Sequence, residues 1–249
     1  MGDDLKEFIF QYLSDKHRRY KSMKRSPDPG SNDLHGILSE RGHQVIGREG
    51  CLGNLGWSVT LPDFNESLLT WHIATDICYH DDVRKNGGDA KIIHPNTEIS
   101  IKLSNYMVYL LLDCPFLLPQ GIGKERYIQT CGAVNDDAKL LDQIISGQDS
   151  SWDSYDTILE LENSRRKVSV LCDGFKLAKS LQTLVTENGW ENKRKWEMIS
   201  QVWVEMLTYV ASHCGWKEHA QTLTRGGELV THVCLLMAHL GLSEQCLTT

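Results

Sequence analysis

Apolar residues recur three and four positions apart along most of this chain, the spacing that gathers them on one face of a helix. Leu5, Phe8, Ile9, Tyr12 and Leu13 make a short stripe near the start. Ile99, Leu103, Tyr106 and Leu110 make another, which ends before "CPFLLPQGIG" because Pro115 biases Cys114 away from helical geometry. Val168, Leu171, Cys172, Phe175, Ala178, Leu181 and Val185 define a long amphipathic helix. The clearest pattern is "KWEMISQVWVEMLTYVASHC", where Trp196, Ile199, Trp203, Met206, Val210 and Cys214 share a stripe with Leu207 beside it. Asp63 followed by Glu66 resembles a capping box and predicts a helix over about 65–79, broken by "DDVRKNGGDAK". Shorter helices are expected around 125–131 and 138–145. "GGELVTHVCLLMAHLG" is apolar nearly all round between Val230 and Leu240, which predicts a helix central to its domain.

Strand signals are few, and no internal repeat is visible. The Gly-rich segment near 36–62, with "GHQVIGREGCLGNLGWSVTLPD", holds at most short strands. The fold class is therefore mostly all-α, an irregular multi-helix bundle. "SPDPGSND" reads as a linker. It separates an N-terminal part, 1–33, from a single helical domain, 34–249. With 41% apolar residues in 249, the chain has enough for a real core.

Charge narrows the partners. A net charge of −7 argues against nucleic acid, which demands a basic surface. Lys16, Arg18, Arg19, Lys21, Lys24 and Arg25 follow directly on the first stripe. They fit either a solvated basic tail or a weak contact of residues 5–25 with anionic membrane. The eight cysteines are spread out, with no C-x-x-C pair, and read as reduced thiols of a cytosolic protein. The start, "MGDDLKEFIF", is too acidic for a signal peptide, so secretion is not expected. The run "YMVYLLLDCPFLLP" is too short to span a bilayer and is interrupted by Asp113 and Pro115. The expected location is the cytoplasm, peripheral to a membrane if the basic stretch engages one.

"WEMISQVWVEMLTYVASHC" and then "HAQTLTRGGELVTHVCLLMAHLG" resemble the signature of the plant family called domain of unknown function 594, here at about 190–245. "LLTWHIATDICYH" and "LSNYMVYLLLDCPFLLPQGIG" are similar to segments that lie upstream in the same proteins. The resemblance covers residues 68–245. It implies a plant protein, related to proteins that often carry an N-terminal multi-span membrane domain. No such span is present here, so a shortened relative or a fragment is expected. The resemblance supplies no catalytic residues.

Candidate chemistry comes from polar residues on apolar helices. His72 and Asp76 are four apart, with His80 one turn further, and Glu228 and His232 are also four apart. If the two helices face each other, His72, Asp76, Glu228 and His232 converge. They would then form either a latch of hydrogen bonds or a divalent metal site whose bound water serves hydrolysis. Exposure of either pair is the third reading. The E-x-x-H and H-E-x-x-H spacings of known helical metal sites are absent. Cys214 and His219 invite a thiol–imidazole reading, although "CGWKEH" more simply marks a helix end and a new start. Two functions follow. One is a non-enzymatic helical interaction or scaffold module that needs no cofactor and binds a protein partner the sequence does not name. The other is a metal-dependent hydrolase-like enzyme using the His/Asp/Glu/His set.

Overall fold

The computed structural model describes residues 2–23, 40–87, 94–119 and 170–242. The helices expected at 125–131 and 138–145 lie outside the described residues, as do Lys24 and Arg25. Nine α-helices and two 3-10 turns are described, and no strand is found among these residues. The helices are α1 Asp3–Met23, α2 His43–Arg48, α3 Leu52–Leu55, α4 Phe64–Lys85 and α5 Pro95–Asp113, then α6 Val170–Thr186, α7 Asn192–His213, α8 Trp216–Leu223 and α9 Leu229–His239. The turns are Gly56–Val59 and Pro115–Leu117.

Helix α7 is the axis of the bundle. It packs against α1, α2, α5, α6 and α9, while α4 lies against α5 and α6. Every residue of α7 from Val202 to Ala211 is buried, on all sides rather than along one stripe. The other predicted central helix, α9, takes a flanking place instead. It buries Val230, Val233, Cys234 and Met237 but leaves His232, Leu235 and His239 exposed. Its apolar composition reflects one face packed on the core and one apolar residue, Leu235, turned outward.

Three tryptophans without exposed surface anchor the interior: Trp71, Trp196 and Trp203. A buried indole N–H needs an acceptor, and each has one. Trp71 donates to Ser58 Oγ at 3.1 Å, Trp203 to Thr75 Oγ1 at 3.1 Å and Trp196 to Asp82 Oδ2 at 2.7 Å. Gly174 sets the spacing of α4 and α6. A Cβ placed there would lie 2.5 Å from Ile73 Cγ2, so only glycine lets the two helices approach this closely.

Local starts and stops follow the chain's own chemistry, with three departures from the sequence expectations. Asp63 caps α4 as predicted, its side chain accepting from the Asn65 N–H at 3.0 Å. Yet α4 continues through "DDVRK" to Lys85, because Arg84 and Lys85 reach back to Asp81 at 2.6 Å each and lie at the end that favours cations. The described part of 36–62 forms short helical turns rather than strands. Val45, Ile46, Leu55 and Val59 all enter the core, a spacing that suits turns of helix better than alternation. Helix α1 runs to Met23, well past Leu13, since Lys16 and Tyr20 continue its buried face.

Trp203→Ala would remove a side chain that is wholly enclosed and hydrogen-bonded. A loss of about 3–5 kcal/mol of unfolding free energy is expected in denaturant titration, and an unchanged midpoint would contradict the central place of α7.

Candidate functional site

The four residues proposed from the sequence do not form one cluster. His72 is half-buried on α4, and its Nδ1 meets Ser104 Oγ of α5 at 2.8 Å. Asp76, expected to face inward, is instead about half exposed and pairs with His80 Nε2 at 3.8 Å along its own helix. Glu228 stands at the N-cap of α9 and accepts from the hydroxyls of Tyr106 and Tyr109, 3.1 Å each. His232 is exposed, its Nδ1 donating to the carbonyl of Glu228 at 2.8 Å. Among the described residues, no group of three or more His, Cys, Asp or Glu side chains could hold a metal ion.

Glu228 nonetheless joins two helices. Tyr106 of α5 donates to its carboxylate while its oxygen accepts from the Val230 N–H at 3.1 Å, so one hydroxyl caps α9 from outside. Burial, offset only partly by the Val230 N–H and reinforced by the nearby carboxylate, pushes the Tyr106 hydroxyl well above its usual range, so it stays a donor.

The heaviest concentration of buried charge lies elsewhere, where α4, α6 and α7 meet. Lys195 has no exposed surface, and Asp82 is 5% exposed. Lys195 Nζ donates to both Asp82 oxygens, at 3.1 and 3.0 Å, and to Gln182 Oε1 at 2.9 Å. Asp82 also accepts from Asn192 at 2.9 Å and from Trp196. Gln182 donates to Asp81 at 2.5 Å, closing the network. Burial pushes the Asp82 carboxyl up. The Lys195 ammonium and the hydrogen bonds from Lys195, Trp196 and Asn192 outweigh that and hold it below the usual carboxylate range.

A second buried pair lies under α1. Glu205 has no exposed surface and accepts from Tyr12 at 2.8 Å, while Lys16 Nζ stands 3.9 Å away. Lys16 is 2% exposed, and its amine makes no hydrogen bond among the described residues. Burial lowers its pKa, against the pull of Glu205 and Glu40. Of the basic residues assigned to a membrane-facing patch, Lys16 is thus withdrawn into the core. The described exposed face of α1 sets Lys6, Arg18 and Lys21 among Asp3, Asp4, Glu7 and Asp15. Arg19 is half-buried over the Tyr12 ring.

Neither buried pair was recognised in the sequence, although each leaves a trace there. Lys195 sits four before Ile199 and seven before Val202, and Glu205 sits three after Val202. A charged residue in the register of an apolar stripe signals a buried ion pair, but the stripe alone names no partner.

The thiol–imidazole reading also resolves into structure. His219 is 1% exposed, and its Nε2 lies 3.2 Å from the Ala211 carbonyl, so that nitrogen carries the proton. Its Nδ1 then accepts from Thr231 at 3.0 Å. With both ring nitrogens taken, His219 is not free to act as a base on Cys214, whose thiol burial pushes up to about 12.

The fold and this distribution of polar groups define a helical-bundle protein whose buried acids, bases and tyrosines join helices. Residues 188–242 match the model of the family described as "Protein of unknown function, DUF594", the family that the sequence motifs resemble. The matched segment comprises α7, α8 and α9 with the turn before them. No curated protein and no solved structure matches the chain. No helix among the described residues is long and apolar enough to cross a membrane.

Two outcomes follow from this geometry. Lys195→Met leaves Asp82 charged and buried without its cation, and should cost about 3–5 kcal/mol in chemical unfolding. Adding Asp82→Asn should recover part of that loss, since the two effects share one network. The second outcome concerns pH. Burial lowers the pKa of both His72 and His219, so the folded state prefers their neutral forms. Their contribution is fully present above the unfolded value of about 6.5 and is lost as pH falls through the lower folded values. Melting temperatures of a His72→Asn, His219→Asn variant should therefore fall less steeply than wild type between neutral and mildly acidic pH. Parallel slopes would refute the assignment.

Proposed function

We propose that this protein is a non-enzymatic helical interaction module. One observation carries the reading: α8 is packed inside out. Its buried residues are the polar His219 and Thr222, held by Thr231 and the Ala211 carbonyl. Its exposed residues include Trp216, Ala220 and Leu223, at positions i, i+4 and i+7. Trp216 is 42% and Leu223 47% exposed. That spacing makes an apolar stripe facing solvent, the form in which one helix offers itself to another.

The elements next to α8 also expose apolar residues. Helix α8 packs against α9 and against the turn Pro115–Leu117, which adjoins α5. These elements contribute the exposed Leu235, Phe116 and Tyr109. The other large exposed apolar residues among the described residues are Phe10 on α1 and Leu52 on α3. The hydrolase reading gains no such support, because the four side chains it needs serve separate contacts.

A photoreactive phenylalanine analogue at position 216, activated in cell extract, should give a covalent adduct with protein. The same analogue at exposed Lys193 serves as the control and should give none. Absence of a protein adduct at 216, or equal labelling at both positions, would overturn the reading.

A further inference from the structure

We infer that α1 is a releasable helix, seated on the bundle by a contact imperfect enough for it to open while the other helices stay folded. The inference concerns a different face from that of α8 and does not rest on it.

The seat holds charged groups that are not fully met. Helix α1 packs against α7 and α9 and buries Leu5, Ile9, Leu13 and Tyr20. Lys16 falls on the same face, seven after Ile9 and four before Tyr20. Its Nζ is buried 3.9 Å from Glu205 Oε1, beyond hydrogen-bond reach, and bonds to nothing among the described residues. Arg19, which lies over the Tyr12 ring, likewise has a buried Nη2 without a partner there. A buried polar atom that bonds to nothing has lost its water and gained no replacement. Opening α1 returns the Lys16 amine to water, which offsets part of the cost of exposing the apolar face.

The ion pair in the first turn of α7 has the opposite balance. There the Lys195 ammonium bonds to both Asp82 oxygens and to Gln182, so opening would break bonds already made. Across the α1 seat, Tyr12 donates a short bond to Glu205 at 2.8 Å and accepts a long one from Arg48 at 3.4 Å. Elements that move are drawn from the weakly held end of a structure, and a charge kept where it weakens a contact marks such an element.

Helix α1 also carries its own support. Lys6 pairs with Asp3 and Arg18 with Asp15, and Gln11 donates to Glu7, each three or four residues apart. Such pairs travel with the helix when it leaves. At 21 residues α1 is longer than the roughly 12–15 below which isolated helices are marginal. It therefore opens as a unit, uncovering Glu205 and the sides of α7 and α9 on which it packs.

The test is native-state hydrogen exchange of the 249-residue chain in rising, sub-denaturing urea, read by mass spectrometry. Amides of α1 should exchange faster than those of α7, with a weaker but measurable urea dependence, the mark of undocking rather than fraying. Amides in the middle of α7 should exchange only by global unfolding. Lys16→Met combined with Glu205→Gln removes both charges and keeps an acceptor for Tyr12, and should slow α1 exchange about tenfold or more. Tyr12→Phe removes the short bond and should speed α1 exchange about tenfold. Exchange of α1 at the rate and urea dependence of α7 would overturn the proposal, as would exchange with no urea dependence at all. A charge-free variant whose α1 exchanges no more slowly than wild type would overturn it too. The wild-type comparison decides by itself where a variant does not fold.

Discussion

The bundle depends on one buried ion pair being completely satisfied. Burying an ammonium and a carboxylate costs several kcal/mol each, and their attraction offsets this only when the remaining donors and acceptors are also met. At Lys195 and Asp82 they are. Three N–H donors of Lys195 find three acceptors, and Asp82 takes further bonds from Asn192 and Trp196. These partners belong to α4, α6 and α7 or to the first turn of α7, so the network fixes how the three helices register. Sliding α7 by one turn would strand both charges. The contact between Gly174 and Ile73 fixes the distance between α4 and α6 in the same layer. Apolar packing alone tolerates such slips far better than a directed network does.

The second pair differs in kind. Lys16 and Glu205 are as deeply buried, but 3.9 Å separates them, and Lys16 gains no hydrogen bond among the described residues. Glu205 instead takes its short bond from Tyr12. Its place in α7 is ten residues from Lys195, about 15 Å along the axis. The first turn and the middle of α7 are therefore held differently: one by a closed network among long helices, the other by a tyrosine and a distant ammonium from α1, with the Val45 N–H of α2 at 3.4 Å from the Glu205 carboxylate. Much of the docking of α1 must then come from Leu5, Ile9, Leu13 and Tyr20.

How much of this was legible in the sequence depends on the kind of constraint. Periodicity located α5, α6 and α7, and apolar content located α9; of Trp203, Leu207, Val233, Leu236 and Met237, read as buried, all are so except Leu236, which is half-buried. The Asp63 cap was legible from local spacing too. Termini were less so. The string "DDVRK" looks like a breaker until Asp81 and Asp82 acquire partners from the following turn and from distant helices. Long-range pairing was not legible at all. The sequence sets Glu228 beside an apolar helical run, but does not show that it caps α9 or that its partners are two tyrosines of α5 rather than His72. Spacing within one helix predicts a face, whereas the partner of that face depends on the crossing of two helices, which no local pattern encodes.

The same reasoning explains why α8 matters. A short helix beside a core normally turns apolar residues inward, since burial is what stabilises a segment too short to be helical alone. Helix α8 does the reverse, and it tolerates this because His219 replaces apolar packing with directed bonds. Its ring ties the Ala211 carbonyl of α7 to Thr231 of α9, and Thr222 adds a bond to Thr231. Those bonds hold the helix with little burial of its apolar side chains. Ala220 and Leu223 are thereby left exposed beside Trp216, which also packs edge-on against the His219 ring at 6.3 Å, and a regular i, i+4, i+7 stripe is left facing outward. Polar residues elsewhere in the molecule are drawn inward to join helices. Here the exchange runs the other way, and apolar residues at regular spacing are left on the surface.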